Sequence, residues 1–363
     1  MLHIIIRVDA STIIGSGHVM RCLTLAQRFH QMGHEVSFIM RAHSGSMENV
    51  VEEQGFPYKM LPAPERYEGD GYASWLGVAQ SEDAADTIAH MESKRCDILV
   101  VDHYALDYVW ENALRPYTKR IFVIDDLANR HHNCDFLLDA NLGAEQEGKY
   151  GGGLLPLHCH TFLGLPYLLL RQEFYDTRNK VDSIPRSRSK GLSVFVCFGG
   201  SDPTNETLRT LQILAQLPQQ IDAHVVLGAS NPHRTDVEFF CKQYHWRVYC
   251  QINYVAHLMH ASDCAIGAGG TMTWERCYMG LPTLVVAIAE NQREDAILHD
   301  EMGLIVYAGF CEDITDEQYE ETIVHFLSDK QKREHVRAVG RSIFENEQVE
   351  EMLKVVTASV AAR

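Results

Sequence analysis

Short runs of β-branched and aromatic residues alternate with amphipathic stretches along the whole chain, and this alternation restricts the fold more than any other feature of the sequence. "LHIIIRV" is followed by an amphipathic run from His18 to Met32, then "EVSFIM", a helical run near Met47 to Gln54, and "FPYKML". After a polar, glycine-containing stretch from Pro62 to Ala73 come a helix near Asp83 to Met91, "DILVVDH", a helix near Asp107 to Tyr117, and "RIFVIDD". Near-continuous apolar strands separated by helices predict βαβ units, that is, a parallel sheet covered by helices on both faces.

The segment "YDTRNKVDSIPRSRSK", Tyr175 to Lys190, has little apolar content and reads as a linker, after which the pattern restarts. "LSVFVCFGG", a helix from Thr204 to Leu217, "DAHVVLG", a helix through Phe239, "RVYCQI", "DCAIGAGG" into a helix, "LPTLVVAI", another helix and "LIVYAG" follow. With 363 residues, more than one core normally supports, the expected organisation is two Rossmann-like domains, 1–174 and 191–363, joined by 175–190. The fold class expected is α/β with two parallel sheets facing a central cleft, and the final helices from Glu317 to Ala361 are expected to close the second half.

A formal charge of −17 and the lack of a Lys/Arg stripe interleaved with aromatics argue against nucleic acid as a partner. An anionic small molecule remains open, because helix N-termini supply local positive potential whatever the net charge. The ten cysteines form no C-x-x-C and several lie in apolar runs, as expected of reduced, buried thiols in a cytoplasmic protein. No signal peptide is legible, and the longest apolar stretch is broken by Pro156, His158, His160 and Pro166, so no membrane association is expected.

In doubly wound sheets ligands bind beyond the carboxyl ends of the strands, which directs attention to three loops. The first, "GSGH", joins the first strand to the first helix. It offers a turn at Gly15 and Gly17, but Met20 stands where a dinucleotide fingerprint has Gly or Ala. The second strand ends at Met40, followed by Arg41, and its only acid, Glu35, lies at the wrong end to hold a ribose; NAD is disfavoured, while NADP stays open. His18 then sits in the first helical turn, where the helix dipole opposes the imidazolium and favours a neutral base. Taken alone, His18 reads equally well as a packing or capping residue.

The second loop, "CFGGSDPTNETL", carries Gly200 and Ser201; helix capping explains Asp202 and Pro203 but not the adjacent glycines. The third, "DCAIGAGGTMTWERCYMGLP", places Gly269, Gly270 and Thr271 at a helix N-terminus whose amides suit a diphosphate. Glu275, about one turn in, can reach the same end and accept two ribose hydroxyls; its plainer reading is dipole compensation. Asp102, His103 and Tyr104 in "VVDHYALD" and Glu290, Asn291 and Gln292 in "AIAENQRED" also follow strands; each set reads as an ordinary loop or as one pointing into the cleft.

Together "RVDASTIIGSGHVMRCLTLA", "VVDHYALD", "FVIDDLANR", "FGGSDPTNETL", "GAGGTMTWERCYMGLPTLVV" and "ENQ" resemble the nucleotide-sugar hydrolases of pseudaminic acid biosynthesis, across most of the chain from Arg7 to Gln292. The resemblance implies a GT-B fold and hydrolysis of a UDP-2,4-diacetamido-2,4,6-trideoxy sugar. It implies that His18 is the catalytic base, that Asn291 and Tyr104 orient water and sugar, and that Glu275 binds UDP. The glycines at 15, 17, 200, 269 and 270 with Ser201, Thr271 and Gln292 complete the expected substrate contacts, without a cofactor or metal. The rival readings are a UDP-sugar glycosyltransferase of the same architecture, a 2-epimerase and a catalytically silent nucleotide-sugar sensor. The stretch from Glu65 to Asp86 is longer than in the most compact members, and its sequence fits a pocket wall and a surface decoration equally. Oligomeric state is not legible; a monomer is consistent with every feature.

Overall fold

The computed structural model describes residues 1–64, 71–91, 96–180, 191–228 and 230–361, without the side chains of residues 291 and 361. The chain divides into two compact units, 1–171 with 346–363, and 172–345.

The first unit is built on β1 (His3–Val8), β2 (Glu35–Arg41), β3 (Tyr58–Leu61), β4 (Cys96–Asp102), β5 (Thr118–Ile124), β6 (Phe136–Asp139) and β7 (His160–Leu163). All pair parallel, in the order β3-β2-β1-β4-β5-β6-β7. Both sheet faces are covered, which is why β1 reads as an unbroken apolar run: Ile4, Ile6 and Val8 enter one core layer and Ile5 the other. Helices α1 (Gly17–Gln31), α2 (Glu48–Glu53), α3 (Gln80–His90) and α4 (Tyr108–Leu114) supply the crossovers.

The second unit starts with α5 (Gln172–Asn179) and holds β8 (Leu192–Cys197), β9 (Ile221–Leu227), β10 (Arg247–Cys250), β11 (Cys264–Ala268), β12 (Thr283–Ala287) and β13 (Val306–Phe310). This sheet is also parallel, ordered β10-β9-β8-β11-β12-β13. Its helices are α6 (Glu206–Gln216), α7 (Arg234–Gln243), α8 (Val255–Ala261), α9 (Met272–Met279), α10 (Arg293–Glu301), α11 (Asp316–Ser328) and α12 (Lys330–Ser342).

Three expectations are corrected. The last helix, α13 (Val349–Ala361), belongs to the first unit: Val349, Met352, Leu353, Val356 and Val360 form one stripe buried in the same core layer as Phe122, Phe136 and Phe162. Arg120 Nη2 donates to the Ser359 carbonyl at 2.7 Å and the Gln348 amide to the Pro166 carbonyl at 2.8 Å, tying both ends of the helix down. Second, Tyr175 to Asn179 are not linker but the end of α5, with Phe174, Tyr175 and Thr177 buried; residues 181–190 lie outside the described residues. Third, β6, β7 and α8 were not anticipated, the two strands being four residues each and too short to show a period. All ten cysteines are thiols, eight of them buried. Among the described residues no helix is long and apolar enough to cross a membrane.

Each sheet reverses its winding once, between β1 and β4 in the first unit and between β8 and β11 in the second. At such switch points neighbouring connections depart to opposite faces and leave a crevice beyond the strand ends.

Candidate functional site

The loop leaving β1 is closed by Ser11, whose Oγ accepts the amides of Ile13 and Ile14 at 3.1 and 2.9 Å and whose carbonyl accepts the Gly15 amide at 2.9 Å. Gly15 has φ +79°, a conformation in which a side chain is strained. A Cβ at Gly17 would meet nothing within 4 Å, so the start of α1 is open. His18, the second residue of α1, is nonetheless buried.

Its partner comes from across the switch point. Val8 of β1 lies opposite Asp102, the last residue of β4, and Asp102 Oδ1 lies 2.6 Å from His18 Nδ1. Arg21, one turn further along α1, donates Nε to Asp102 Oδ2 at 2.5 Å and Nη2 to Oδ1 at 2.6 Å, a bidentate clamp. Burial alone would raise the Asp102 carboxyl, but the charges and hydrogen bonds of Arg21 and His18 outweigh it and hold the group well below the usual carboxylate range. An ionised Asp102 only accepts, so the proton in the short contact belongs to His18 Nδ1, and the lone pair of the neutral ring is on Nε2. The Cys22 thiol also donates to Asp102, and burial followed by that carboxylate pushes it well above its ordinary value, so it is no nucleophile at neutral pH.

The three residues at the end of β4 face different tasks. His103 Nδ1 accepts the Ala105 amide at 3.1 Å and its Nε2 lies 3.4 Å from Asp9 in the core, where burial lowers its pKa. Tyr104 packs edge-on against the His18 ring, centroids 4.7 Å apart, and donates its hydroxyl to Asp126 at 2.6 Å. Burial and the Asp126 charge push that phenol far above its ordinary value, so it does not ionise.

Around these groups lies a second, wholly structural charge cluster. Asp83 of α3 accepts from Arg7 Nη2 at 2.6 Å, Arg41 Nη2 at 2.7 Å and Trp110 Nε1 at 2.9 Å, and Arg7 Nη1 donates to Asp9 at 2.6 Å. All five side chains are buried. The cluster fixes the ends of β1 and β2 and the start of α3.

The second unit presents mostly backbone. Gly199 (φ +87°) and Gly200 end the β8 loop, and a Cβ on either would meet nothing within 4 Å. Ser201 is exposed at that turn. Asp202 accepts the amides of Glu206 and Thr207, both at 3.0 Å, so it caps α6, which starts two residues later than expected. On neighbouring β11, Gly267 is demanded by packing, since a Cβ would lie 2.1 Å from the Cys197 carbonyl oxygen. Gly270 has φ +90° with open space where a Cβ would stand, and Thr271 precedes α9, in whose first turn the Thr273 and Trp274 amides donate to the Gly270 and Thr271 carbonyls at 2.9 and 3.1 Å. Glu275 is half-buried in the first turn of α9, and Gly280 (φ +63°) ends the helix. Gln292 Oε1 accepts the Ile288 amide at 3.2 Å, and the Gln292 Cβ lies 3.5 Å from where a Gly269 Cβ would be.

The sequence-derived residues therefore fall into two groups. Gly15, Gly17, His18 and Tyr104 gather at the switch point of the first sheet; Gly200, Ser201, Gly269, Gly270 and Thr271 lie on loops beyond β8 and β11 in the second, with Glu275 in the first turn of α9 and Gln292 in a 3-10 turn beyond β12. The side chain of Asn291 lies outside the described residues. Sequence reasoning placed Asp102 after a strand without giving it a role, and passed over Arg21 and Asp126 as functional groups. An acid ending the apolar strand "DILVVD" was the available signal for Asp102, but it acquires meaning only with β4 seated beside β1.

Two parallel α/β units, each with loops gathered at a switch point, define a GT-B-type protein. Solved structures share this fold: MurG of Acinetobacter baumannii is 14% identical with a TM-score of 0.65, covering 99% of this chain and 100% of that one. A spinosyn rhamnosyltransferase complexed with thymidine diphosphate is 15% identical with a TM-score of 0.65 and the same coverage. In sequence, the chain is 26% identical over 297 residues to the UDP-2,4-diacetamido-2,4,6-trideoxy-β-L-altropyranose hydrolase of Campylobacter jejuni, covering 81% of this chain and 95% of that one. No family model matches the chain.

Proposed function

We propose that this chain hydrolyses UDP-2,4-diacetamido-2,4,6-trideoxy-β-L-altropyranose to UDP and 2,4-diacetamido-2,4,6-trideoxy-L-altrose, a step of pseudaminic acid biosynthesis, with His18 as general base. The observation that carries this reading is the 2.6 Å contact between His18 Nδ1 and the ionised Asp102, which leaves Nε2 as the acceptor of a proton. Its similarity to the Campylobacter hydrolase supplies the substrate.

In the proposed reaction a water oxygen attacks C1 of the sugar as its proton passes to His18 Nε2. The C1–O bond breaks, its electron pair leaves with the β-phosphate oxygen, and the configuration at C1 inverts. Base catalysis of this kind contributes on the order of 10²–10⁴-fold. Asp102 orients the ring and stabilises the imidazolium that forms, as a carboxylate does for any histidine base. Arg21 keeps Asp102 ionised. Tyr104, its proton engaged by Asp126, offers oxygen lone pairs to a sugar hydroxyl or to water, and Asn291 is assigned the same orienting task. The developing charge on UDP is met by the amides of Gly269 to Thr271 and the Ser201 hydroxyl, preorganised donors that need no proton transfer. Glu275 takes the ribose hydroxyls. No cofactor or metal enters these steps.

The test is NMR and mass analysis of the reaction in ¹⁸O-water without any acceptor. The expected result is free inverted sugar carrying ¹⁸O at C1 and unlabelled UDP. Label in UDP would place cleavage at phosphorus, and a bound but intact substrate would indicate a transferase lacking its acceptor or a sensor; each would overturn the proposal.

A further inference from the structure

The segment after residue 70, whose place was open in the sequence, stands beside the dyad. A two-turn 3-10 helix, Gly71–Leu76, carries Tyr72 and Trp75. The Trp75 ring stacks on Tyr104, with centroids 5.6 Å apart and planes 28° from parallel, and meets the His18 imidazole edge-on at 6.0 Å. Tyr72 packs edge-on against Trp75 at 4.8 Å and against Tyr104 at 4.9 Å. His18 is thus bordered by a continuous wall of three rings from two separate segments.

This wall is held in place and still open. Leu76 is buried in the core, Gly77 (φ +74°) turns the chain against Pro64, and α3 begins three residues later with Asp83 locked to Arg7 and Arg41. Yet Tyr72 is 42% exposed and Trp75 only half-buried, large aromatic surface left in water next to a buried charged dyad. The faces of such rings attract C–H and methyl groups and give hydroxyls no partner as good as water, so a sugar lacking hydroxyls and bearing acyl groups fits against them where a polyhydroxylated one leaves hydroxyls unpaired; the polar atoms of the rings lie at their edges.

We propose that Trp75 and Tyr72 are specificity-determining residues, forming with Tyr104 an aromatic wall that receives the C6 methyl and N-acetyl groups of a deoxy, N-acylated sugar. The inference rests on the proposed function and extends it to the choice of sugar. The wall borders the imidazole through Trp75 and Tyr104.

The experiment compares wild type, Trp75→Ala, Trp75→Phe and Tyr72→Ala with two substrates, the UDP-diacetamido-trideoxy sugar and UDP-N-acetylglucosamine, which keeps hydroxyls at C4 and C6. Trp75→Ala is expected to raise KM for the deoxy substrate about tenfold and to narrow discrimination between the two substrates by a similar factor, with a smaller effect for Tyr72→Ala. UDP product inhibition and the thermal midpoint should stay at wild-type values, and Trp75→Phe should restore most of the loss. Unchanged discrimination in Trp75→Ala, or a parallel weakening of UDP inhibition, would overturn the assignment. Saturation-transfer NMR with the intact UDP-diacetamido sugar separates this result from the fate of the hydrolase reading. If wild type turns over neither substrate, the hydrolase reading fails. The wall then stands if methyl saturation is strong in wild type and lost in Trp75→Ala, and falls if the two proteins give the same signal.

Discussion

The two sheets have the same winding and put opposite materials at their switch points. Beyond β1 and β4 the first unit gathers side chains: His18, Asp102, Arg21 and Tyr104, backed by the buried Arg7–Asp9–Arg41–Asp83 cluster. Beyond β8 and β11 the second unit gathers glycines and helix amides, with Gly199 and Gly270 at positive φ and no Cβ to fill the space above them. Side chains can be tuned in charge and can move protons, but burying them demands partners. Amides cannot titrate, yet they bind anions with nothing to desolvate beyond the backbone itself. The proposed function uses this contrast, with chemistry in the first unit and nucleotide recognition in the second.

The largest effect that would sharpen this contrast is on turnover. His18→Gln removes the proton acceptor while keeping a hydrogen-bonding side chain, and kcat should fall on the order of 10²–10⁴-fold; a loss below about tenfold would remove His18 from the chemistry. Next is the charge cluster behind the dyad. Asp83→Ala strands Arg7 and Arg41 without their main counter-charge in a site with no access to water. Urea unfolding should show a loss of about 3–5 kcal/mol, and a change under 1 kcal/mol would mean that the cluster is replaceable.

A smaller effect is a pH dependence confined to the first unit's strand ends. Burial lowers His132, but the neighbouring carboxylates of Asp125 and Glu111, at 3.8 and 2.6 Å, outweigh it and push the imidazole up to about 9 from 6.5. A raised value means stability fully present below pH 6.5 and lost as pH rises through 9, worth ~3 kcal/mol over that interval. Denaturation of wild type should weaken across this window while His132→Gln stays flat; parallel curves would contradict the assignment. Smallest is Glu275→Gln, expected to raise the Kd for UDP about tenfold, or ~1.4 kcal/mol.

What was legible in the sequence follows the same division. The glycine loops of the second unit could be read directly, because Gly199 with Gly200 and Gly269 with Gly270 are consecutive pairs, each at one strand-to-helix turn. His18 was legible for the same reason. Asp102 was legible as an acid at a strand end but its partnership with His18 was not, since the two are 84 residues apart and only the pairing of β4 with β1 joins them. Trp75 and Tyr72 lie in a stretch with neither helical nor strand period, so nothing local marks them. The apolar stripe of α13 was visible, but a stripe states that a face is buried and not which sheet buries it; proximity in sequence pointed to the second unit, and Arg120 with Pro166 holds it in the first.

The most direct test of the division of labour is calorimetric titration of UDP into wild type, His18→Gln and Glu275→Gln. The expected result is a Kd for His18→Gln within about twofold of wild type and a Kd for Glu275→Gln about tenfold weaker. Loss of UDP affinity in His18→Gln as large as in Glu275→Gln would contradict it, making His18 part of the nucleotide site or of the fold that supports it.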